Sequence, residues 1–466
     1  MSVSIDQKPL KSLLPIGQKV IFSVSESTIV ATKFNVKFIA EVHVSNTAII
    51  PGSTPTVIGT FKTTPNNAGV GIFDLRPILE TFISPDYEPS LGSGTQYKGL
   101  PNSIISFPIH LIDKYSLSPK SITFFAVRFL IEYSDTATGT IIAPTDASNN
   151  NETDSEQYTM FNGVLQYDDV LTKSLYGNNY GYNLDEFYLT DSNSKFLSNA
   201  PTTQYARLTD YGTFPFLNFV PNSTDKVTSI TLKYYNSLDV QIGVDYVLNT
   251  ASNGGVAAVG DSNTMLNYFG CFPANLRADG TTTFAALVTA GTIQGGYYTI
   301  RDGNGQSLLY RINILCPNQK GFEAIRLTWL NQWGVWDYYT FNMKSTRSIS
   351  TNRTSYTQQD GTWNESTFKI SGYKGGKKNF RVNSTEKIKL NTDFVTEEEG
   401  VWFEELINSP EVYIVNGFQT DVADTITNKY IEPVVLTTSS YVKKTIANDK
   451  LMQYTIEIEK SKMKRT

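Results

Sequence analysis

The side chains most capable of chemistry in this sequence are two histidines and two cysteines, and their spacing keeps them apart. His43 and His110 lie in the alternating apolar runs "AEVHVS" and "FPIHLI", and neither Cys271 nor Cys316 has a partner at metal-ligand spacing. Metal sites and nucleophile–base pairs need such residues to cluster. The pattern favours histidines in β-strands and cysteines as small buried side chains. It predicts no metal site, no cofactor and no enzyme.

One segment begins like a calcium loop. The stretch "DGNGQ" starting at Asp302 has the alternating oxygen side chains of such a loop, but Asn313 stands where a bidentate glutamate is required. The same glycines, between "YTIR" and "SLLYRINI", are typical of a β-hairpin turn. Carboxylates are plentiful elsewhere, so a carboxylate pair for sugar hydrolysis stays an open alternative in which no pair stands out.

The stretch "IRLTWLNQWGVWDYYTF", from Ile325 to Phe341, concentrates aromatic residues around one glycine. Apolar residues alternate on both sides of "NQWG", which predicts a hairpin whose aromatic pairs stabilise a sheet. A carbohydrate-stacking platform is the alternative. The core or subunit-interface candidates, with one tryptophan from a later helix, are Trp329, Trp333, Trp336, Tyr338, Tyr339 and Trp402.

The elements that would position these side chains are mostly strands. Period-two alternation in "QKVIFSVSES", "NVKFIAEVHVS", "TPTVIGTFKTT", "NSIISFPIHLI" and "SITFFAVRFLIEYS" predicts a β-sandwich near the N-terminus. A short helix interrupts it at "FDLRPILETFI", where Asp74 can cap and Pro77 fits the first turn.

Composition and breaks in periodicity divide the chain into regions. The polar stretch "DTATGTIIAPTDASNNNETDSEQ" marks a boundary. We expect a mainly β protein with two or more β-sandwich-like domains and short helices. The regions are an N-terminal β-sandwich (1–135), a linker and irregular connecting region (136–225), a second β domain with the aromatic hairpin (226–343), a basic loop region (344–381), and a C-terminal helix with strands completing the second domain (382–466).

Two blocks of opposite charge follow the aromatic hairpin. Between Lys344 and Arg381 eight basic residues face two acidic ones, and between Val382 and Glu432 eleven acidic residues face three lysines. Such blocks are solvated surfaces, charge-matched contacts between copies of the chain, or, for the basic block, a surface lining a nucleic-acid channel. The basic candidates for a channel or an interface are Arg347, Arg353, Lys374, Lys377, Lys378 and Arg381.

The acidic block contains the clearest helix signal. In "TEEEGVWFEELINSPEVYIV", Thr396 precedes Glu399 by three residues as in a capping box, and the helix should end at Ser409-Pro410. Its buried stripe is predicted to include Trp402, Phe403, Leu406 and Ile407. A strand pair around Ala447-Asn448-Asp449 is expected to follow.

The remaining composition narrows the class of protein. Charged residues make up 18% of the 466 residues and the formal charge is −5, so uncharged polar side chains must cover the surface. The N-terminus lacks the apolar core of a signal peptide, which favours a cytosolic product, and no apolar run is long enough to span a membrane.

Five segments, in this order, resemble structural virion proteins of tailed bacteriophages, in particular the crAss-like podoviruses. They are "GVGIFDLRPILETFI", "MFNGVLQYDD", "RLTWLNQWGVWDYYTF", "IKLNTDFVTEEEGVWFEELINSPEVYIV" and "PVVLTTSSYVKKTIANDKLMQYTIEIE". The resemblance covers most of the chain and rests on packing motifs, so it assigns no active-site residue.

The resemblance implies a β-rich ring of twelve copies in the phage tail or neck, assembled in the host cytoplasm and localised in the virion. It also implies contacts with other tail or portal-proximal proteins and transient contact with DNA in the ejection channel. The alternative is a receptor- or carbohydrate-binding phage adhesin, for which quenching of an exposed Trp333 or Trp363 by a glycan would be the sign.

Overall fold

A computed structural model describes the chain over residues 2–49, 56–90, 108–112, 115–146, 149–175, 180–218, 229–249, 262–278, 297–302, 307–315, 321–370, 372–415, 431–438, 440, 442, 452–461 and 464–465. Strands take up 46% of the structure and helices 13%, which confirms the predicted mainly β class with several sheets and short helices. No helix among these residues is long and apolar enough to cross a membrane.

The chain forms two compact units. The first contains the described residues of Met1–Cys316 together with Leu330–Asp337, and the second contains those of Pro317–Trp329, Tyr338–Gly417 and Thr427–Thr466. The aromatic hairpin therefore contributes its turn to the first unit and most of its two strands to the second. The predicted connecting region 136–225 lies within the first unit.

Short strands and helices build the first unit. The strands are β1 (Ser4–Gln7), β2 (Leu13–Pro15), β3 (Ile21–Ser25), β4 (Phe34–Ser45), β5 (Val57–Thr63), β6 (Val70–Asp74), β7 (Tyr115–Leu117), β8 (Ile122–Ser134), β9 (Thr153–Asp154), β10 (Tyr158–Phe161), β11 (Ser174–Leu175), β12 (Gly181–Tyr182), β13 (Thr203–Ala206), β14 (Thr213–Leu217), β15 (Ser229–Tyr235), β16 (Gln241–Asn249), β17 (Leu266–Gly270), β18 (Tyr297–Asp302) and β19 (Tyr310–Ile314). The α-helices are α1 (Ser27–Thr32), α2 (Arg76–Leu79), α3 (Tyr167–Lys173) and α4 (Pro273–Ala278), and 3₁₀ turns cover Glu80–Phe82, Ile109–Leu111, Asp185–Phe187 and Ser262–Thr264.

Two sheets face each other at the start of this unit, as the alternating runs predict. One has the order β1-β3-β6, and the other has the order β2-β10-β8-β4-β5, with β9 paired to β8. Phe22 of β3 contacts Phe129 of β8 at 5.5 Å between ring centroids, in a core that includes Phe38 and Val42. Burying alternate apolar residues of both sheets in one layer is what holds a sandwich together.

Three further sheets follow in the first unit. Over the described residues their orders are β11-β12, β13-β19-β18-β15-β16 and β14-β17-β7. The predicted hairpin around "DGNGQ" corresponds to β18 and β19, which pair antiparallel, while most of its turn lies outside the described residues. The run "TTFAALVTAG" also lies outside them.

One predicted strand is wrong where the structure describes it. His110 lies in the 3₁₀ turn Ile109–Leu111 and not in a strand, whereas His43 lies in β4 as expected. Pro108 precedes the turn with φ −67° and has no N–H for a sheet ladder. Ile109, His110 and Ile112 are all buried, so the side chains do not alternate between core and solvent.

Over its described residues, the second unit is one sheet with one helix on it. Its strands are β20 (Ile325–Leu330), β21 (Trp336–Phe341), β22 (Thr346–Gln358), β23 (Gly376–Asn391), β24 (Val412–Val415), β25 (Ile431–Leu436), β26 (Thr455–Lys460) and β27 (Lys464–Arg465). Their order is β21-β20-β24-β25-β26-β23-β22, with β27 paired to β23. The strand pair expected around Ala447–Asp449 corresponds to β25 and β26, which pair in this sheet. The turn expected at Ala447–Asp449 lies outside the described residues.

The helix of this unit is α5 (Glu397–Asn408), which begins and ends where its sequence signals predict. The Thr396 hydroxyl accepts a hydrogen bond from the Glu399 N–H at 3.2 Å, and the Glu399 carboxylate accepts one from the Thr396 N–H at 2.9 Å. Trp402, Phe403 and Leu406 are buried as expected, while Ile407, at the end of the stripe, is only half-buried.

The predicted basic loop region is wrong for most of its length. β22 and β23 form one long antiparallel hairpin in which Thr346 pairs with Lys389 and Gln358 with Gly376. Only residues 359–375, at its end, lie outside strands. Both faces of the hairpin are largely exposed, so its residues lack the apolar alternation by which strands are usually found.

Candidate docking arm

The turn of the aromatic hairpin is buried inside the first unit. Asn331 shapes it, because its Oδ1 accepts hydrogen bonds from the N–H groups of Trp333 at 2.9 Å and Val335 at 3.2 Å. The Trp333 ring lies edge-on to Phe187 at 4.6 Å and is almost completely buried. A sugar cannot stack on Trp333 in this conformation.

Trp336 is the other tryptophan of this turn and is fully buried. Its indole N–H donates to the carbonyl oxygen of Asp86 at 2.8 Å, and the His110 ring packs edge-on against it at 5.1 Å. The role of His110 in the structure is therefore packing. His43, on β4, has Nδ1 3.3 Å from the carbonyl oxygen of Thr56.

Asp86 is a buried carboxylate beside this tryptophan. It accepts hydrogen bonds from the hydroxyls of Ser118 and Ser121, the latter at 2.6 Å, and from the N–H of Lys120 at 3.1 Å. Burial raises the pKa of Asp86 in spite of these donors, because a charged carboxylate loses its hydration. The cluster ties residues 84–90 to the segment that precedes β8.

The remaining aromatic candidates are in the second unit. Trp329 and Trp402 are buried with ring centroids 4.9 Å apart, and the half-buried Tyr339 packs edge-on against Phe403 at 4.7 Å. Tyr338 is buried and lies 5.2 Å from the Arg326 guanidinium. All six aromatic candidates thus pack within their own unit, either buried or half-buried.

The prominent exposed feature of the second unit is the hairpin of β22 and β23, here called the arm (residues 346–391). At its base β26 pairs with Lys387–Asn391, and β27 pairs with Asn383 and Ser384. Beyond Asn383, no third strand pairs with the arm among the described residues. At about 3.3 Å per strand residue, the eight residues from Asn383 to Gly376 project about 26 Å as a two-stranded ribbon.

The end of the arm, residues 359–375, is built by its own contacts. The Thr362 hydroxyl accepts from the Lys369 N–H at 2.8 Å and donates to the Thr367 carbonyl oxygen at 2.9 Å. Trp363 and Phe368 pack edge-on at 5.5 Å, and Gly361 takes φ +69° beneath the Phe368 ring. These contacts hold Trp363 and Phe368 together at the end of the arm.

Apolar side chains at this end are open to solvent. Ile370 is 89% exposed, Phe380 77%, Tyr373 76% and Trp363 66%. Phe380 is the extra residue where the register shifts opposite Thr354 and Ser355, as in a β-bulge. Exposed apolar side chains gathered in one place mark interaction surfaces in soluble proteins.

The basic candidates fall at both ends of the arm. Arg347, at the base, pairs with Glu323 at 2.7 Å and Glu386 at 2.8 Å, and the hydrogen bond to Glu386 and that to Glu323 help to raise its pKa. The others accompany the exposed rings towards the tip: Arg353, Lys374, Lys377, Lys378 and Arg381. From residue 353 to residue 381 six basic side chains face two acidic ones.

Sequence reasoning found the basic residues of the arm and missed the rings beside them. Phe368, Ile370, Tyr373 and Phe380 alternate with lysines between glycines without any regular period. The available signal was a segment that contains apolar residues but no regular period, because only a segment with a buried face needs to keep such a period.

Metal-ligating side chains and thiols are the other groups that the sequence analysis considered. No group of three or more metal-ligating side chains occurs among the residues that the structure describes. Cys271 is a buried free thiol, and Cys316 lies outside the described residues. No protein-family model matches the chain, and no curated protein matches its sequence.

Proposed function

We propose that this chain is a structural virion protein that forms a homo-oligomeric ring in the tail or neck of a crAss-like tailed bacteriophage. In that role it docks neighbouring tail or portal-proximal proteins and lines the genome-ejection channel. The observation that carries the proposal is the arm, a projecting ribbon on which Trp363, Tyr373 and Phe380 are largely exposed to solvent.

The low stability expected for an isolated arm supports a role in assembly. A two-stranded hairpin with both faces in water is marginally stable on its own. Beyond Asn383 the arm has this form, with β22 exposed over nearly its whole length. A surface of another protein that covers the rings would remove apolar area from water and stabilise the ribbon.

The buried side chains support the same view. The tryptophans of the aromatic hairpin are used in packing, and the two histidines are far apart in sequence, one on a strand and one on a 3₁₀ turn. The buried tryptophans hold the sheets together, and the arm supplies the surface on which a neighbour would dock. The resemblance to phage virion proteins supplies the tail location and the expectation of a closed ring.

One observation favours the second candidate, a receptor- or carbohydrate-binding adhesin. Trp363 is exposed beside Phe368 at the end of the arm, and exposed aromatic rings can stack on sugars. An adhesin would need Trp363 fluorescence to respond to a glycan. The ring protein needs the same side chain to be covered by protein.

Light scattering on the purified chain distinguishes the two candidates. A ring gives a mass that is a fixed multiple of 51.9 kDa and stays constant over a range of concentrations. A monomer or trimer whose Trp363 fluorescence is quenched by glycans would overturn the ring proposal. The Trp363→Ala variant is the control for the fluorescence assay.

A further inference from the structure

We infer that the tip of the arm, here residues 353–381, docks on a second copy of this chain, at the start of α5, in a head-to-tail contact. The inference rests on the proposed function and names the surfaces that would join the subunits. The receiving surface, here called the α5 face, consists of Phe394, Glu397, Glu398 and Val401.

The tip combines positive charge with exposed rings. The segment 353–381 carries a formal charge of +4, and because the whole chain carries −5, the rest carries −9. Lys369 and Lys377 are exposed, as are Trp363 and Phe380 of the same segment. A basic and aromatic arm on an acidic protein is complementary to the body of another copy.

The α5 face has the opposite charge and the same apolar character. Phe394 is 59% exposed, and Val401, one turn into the helix, is also exposed. Glu397 and Glu398 lie exposed between them in the sequence, with Glu399 in the capping box. The helix dipole places about half a positive charge at this end, which three carboxylates outweigh.

The chain direction decides which copies can meet. β23 has 16 residues and runs from the tip at Gly376 to the base at Asn391, and α5 begins six residues further on, at Glu397. At about 3.3 Å per residue, the tip and the α5 face are separated by about 50 Å of strand. The tip of a chain therefore cannot reach its own α5 face, and the two surfaces can meet only between copies.

Such a contact has a definite symmetry consequence. It joins two different surfaces of the same chain, so each copy offers one free tip and one free α5 face to the next. Repetition of this heterologous contact closes into a ring or continues as a filament. The docking geometry thus produces the kind of assembly that the proposed function requires.

Single-stranded nucleic acid is the competing occupant, because basic grooves with stacked rings bind it. A second copy is favoured for two reasons. The formal charge of −9 outside the tip repels a polyanion, and the α5 face offers apolar side chains as well as carboxylates. A nucleic acid would use the positive charges and rings of the tip but would gain nothing from Phe394 or Val401.

The test is a charge exchange in the full chain, measured as mass against concentration by analytical ultracentrifugation. The tip variant is Lys369→Glu with Lys377→Glu. The face variant is Glu397→Lys with Glu398→Lys, and the exchange variant carries all four changes. Circular dichroism checks that each variant folds.

Two controls accompany these variants. Lys19→Glu with Lys120→Glu reverses two exposed lysines of the first unit and should assemble like the wild type. Phe394→Ser probes the α5 face without placing a lysine at the helix start, so it tests the contact even if the face variant folds poorly. Fluorescent oligothymidine is the probe for nucleic-acid binding.

The expected result is a reciprocal pattern. The tip and face variants each need an about tenfold or higher concentration for half-assembly, Phe394→Ser also weakens assembly, and the exchange variant returns to within about threefold of the wild type. Assembly of the tip variant at wild-type concentrations would overturn the inference. So would an exchange variant no better than the two parents.

Two further outcomes separate the alternatives. If the tip variant loses oligothymidine binding while its assembly is unchanged, the tip binds nucleic acid and the docking contact is wrong. If the wild type forms rings that ignore all these changes, the ring function stands and this contact alone is refuted. A wild-type chain that stays monomeric at every concentration refutes both.

Discussion

Replacing Trp336 with alanine should destabilise the first unit strongly. The side chain is fully buried, its N–H donates to the Asp86 carbonyl oxygen at 2.8 Å, and the His110 ring packs on it at 5.1 Å. Truncating a buried tryptophan costs about 3 to 5 kcal/mol in lost contacts and cavity formation. The unsatisfied carbonyl oxygen adds about 1 kcal/mol or more, so we expect a loss of about 4 to 6 kcal/mol.

Urea denaturation followed by circular dichroism measures this loss. Hydrogen exchange of peptides containing Ile109–Leu111 locates it in the first unit, which matters because two units need not unfold together. Trp336→Phe keeps an aromatic ring and should retain part of the lost stability. Trp363→Ala is the matched control, because that ring is exposed on the arm and should change stability by no more than about 0.5 kcal/mol.

The outcome distinguishes a core tryptophan from a ligand-binding one. If Trp336→Ala left the urea midpoint unchanged, the indole would not be buried as described and the packing role of the hairpin turn would be refuted. Equal losses for Trp336→Ala and Trp363→Ala would also contradict the distinction between the two rings.

Three further changes probe the elements that hold these surfaces in place. Gly334→Ala should lower the free energy of unfolding, measured by urea denaturation, by more than about 2 kcal/mol, because φ is +71° and a Cβ would overlap the Asn162 carbonyl oxygen. The control Gly321→Ala, at φ +69° in open space, should lower it by only about 1 to 2 kcal/mol. Equal losses would contradict the close approach of Gly334 to Asn162. Thr396→Ala should lower stability by about 1 kcal/mol by removing the capping hydrogen bond, and Thr396→Ser should restore most of it; an unchanged urea midpoint would refute the cap. Asp86→Asn should lose stability relative to the wild type increasingly as pH falls towards the unfolded-state pKa of about 4, and a pH-independent difference would contradict the raised pKa.

The sign of the pH effect follows from the direction of the shift. Burial raises the pKa of Asp86 above its value in the unfolded chain. The stability that the protonated carboxyl provides is therefore complete below the unfolded pKa and is lost as pH rises through the folded one. Asparagine does not titrate, so its variant lacks this pH-dependent contribution.

Local signals in the sequence predicted the elements that contribute apolar side chains to a core. The long strands β4 and β8 lie where "NVKFIAEVHVS" and "SITFFAVRFLIEYS" predict them, and α5 begins at its capping box. These signals are reliable because each element buries apolar side chains, β8 on both faces and α5 on one. The turn at "NQWG" was found from its glycine, since Gly334 adopts the positive φ that such a turn requires.

The predictions that failed concern segments in which burial does not follow a regular strand or helix pattern. The arm has no buried face beyond its base, so its sequence follows no period and was predicted as a loop. Around His110, Ile109 and Ile112 are also buried, so the apolar residues of this segment resembled a strand although Pro108 prevents ladder pairing. The exposed rings of the arm were missed because exposure depends on tertiary structure and not on local pattern.

The central claim is that the arm joins copies of this chain into a ring, and one pair of electron micrographs tests it most directly. In the shortened variant, Asn-Gly replaces residues 354–381 and connects Arg353 to Val382, with which it pairs directly. The contacts of β23 with β26 and β27 stay in place. The account predicts closed rings for the full chain and single particles for the folded, shortened variant. Rings of unchanged size from the shortened variant, or single particles from the full chain, would contradict it.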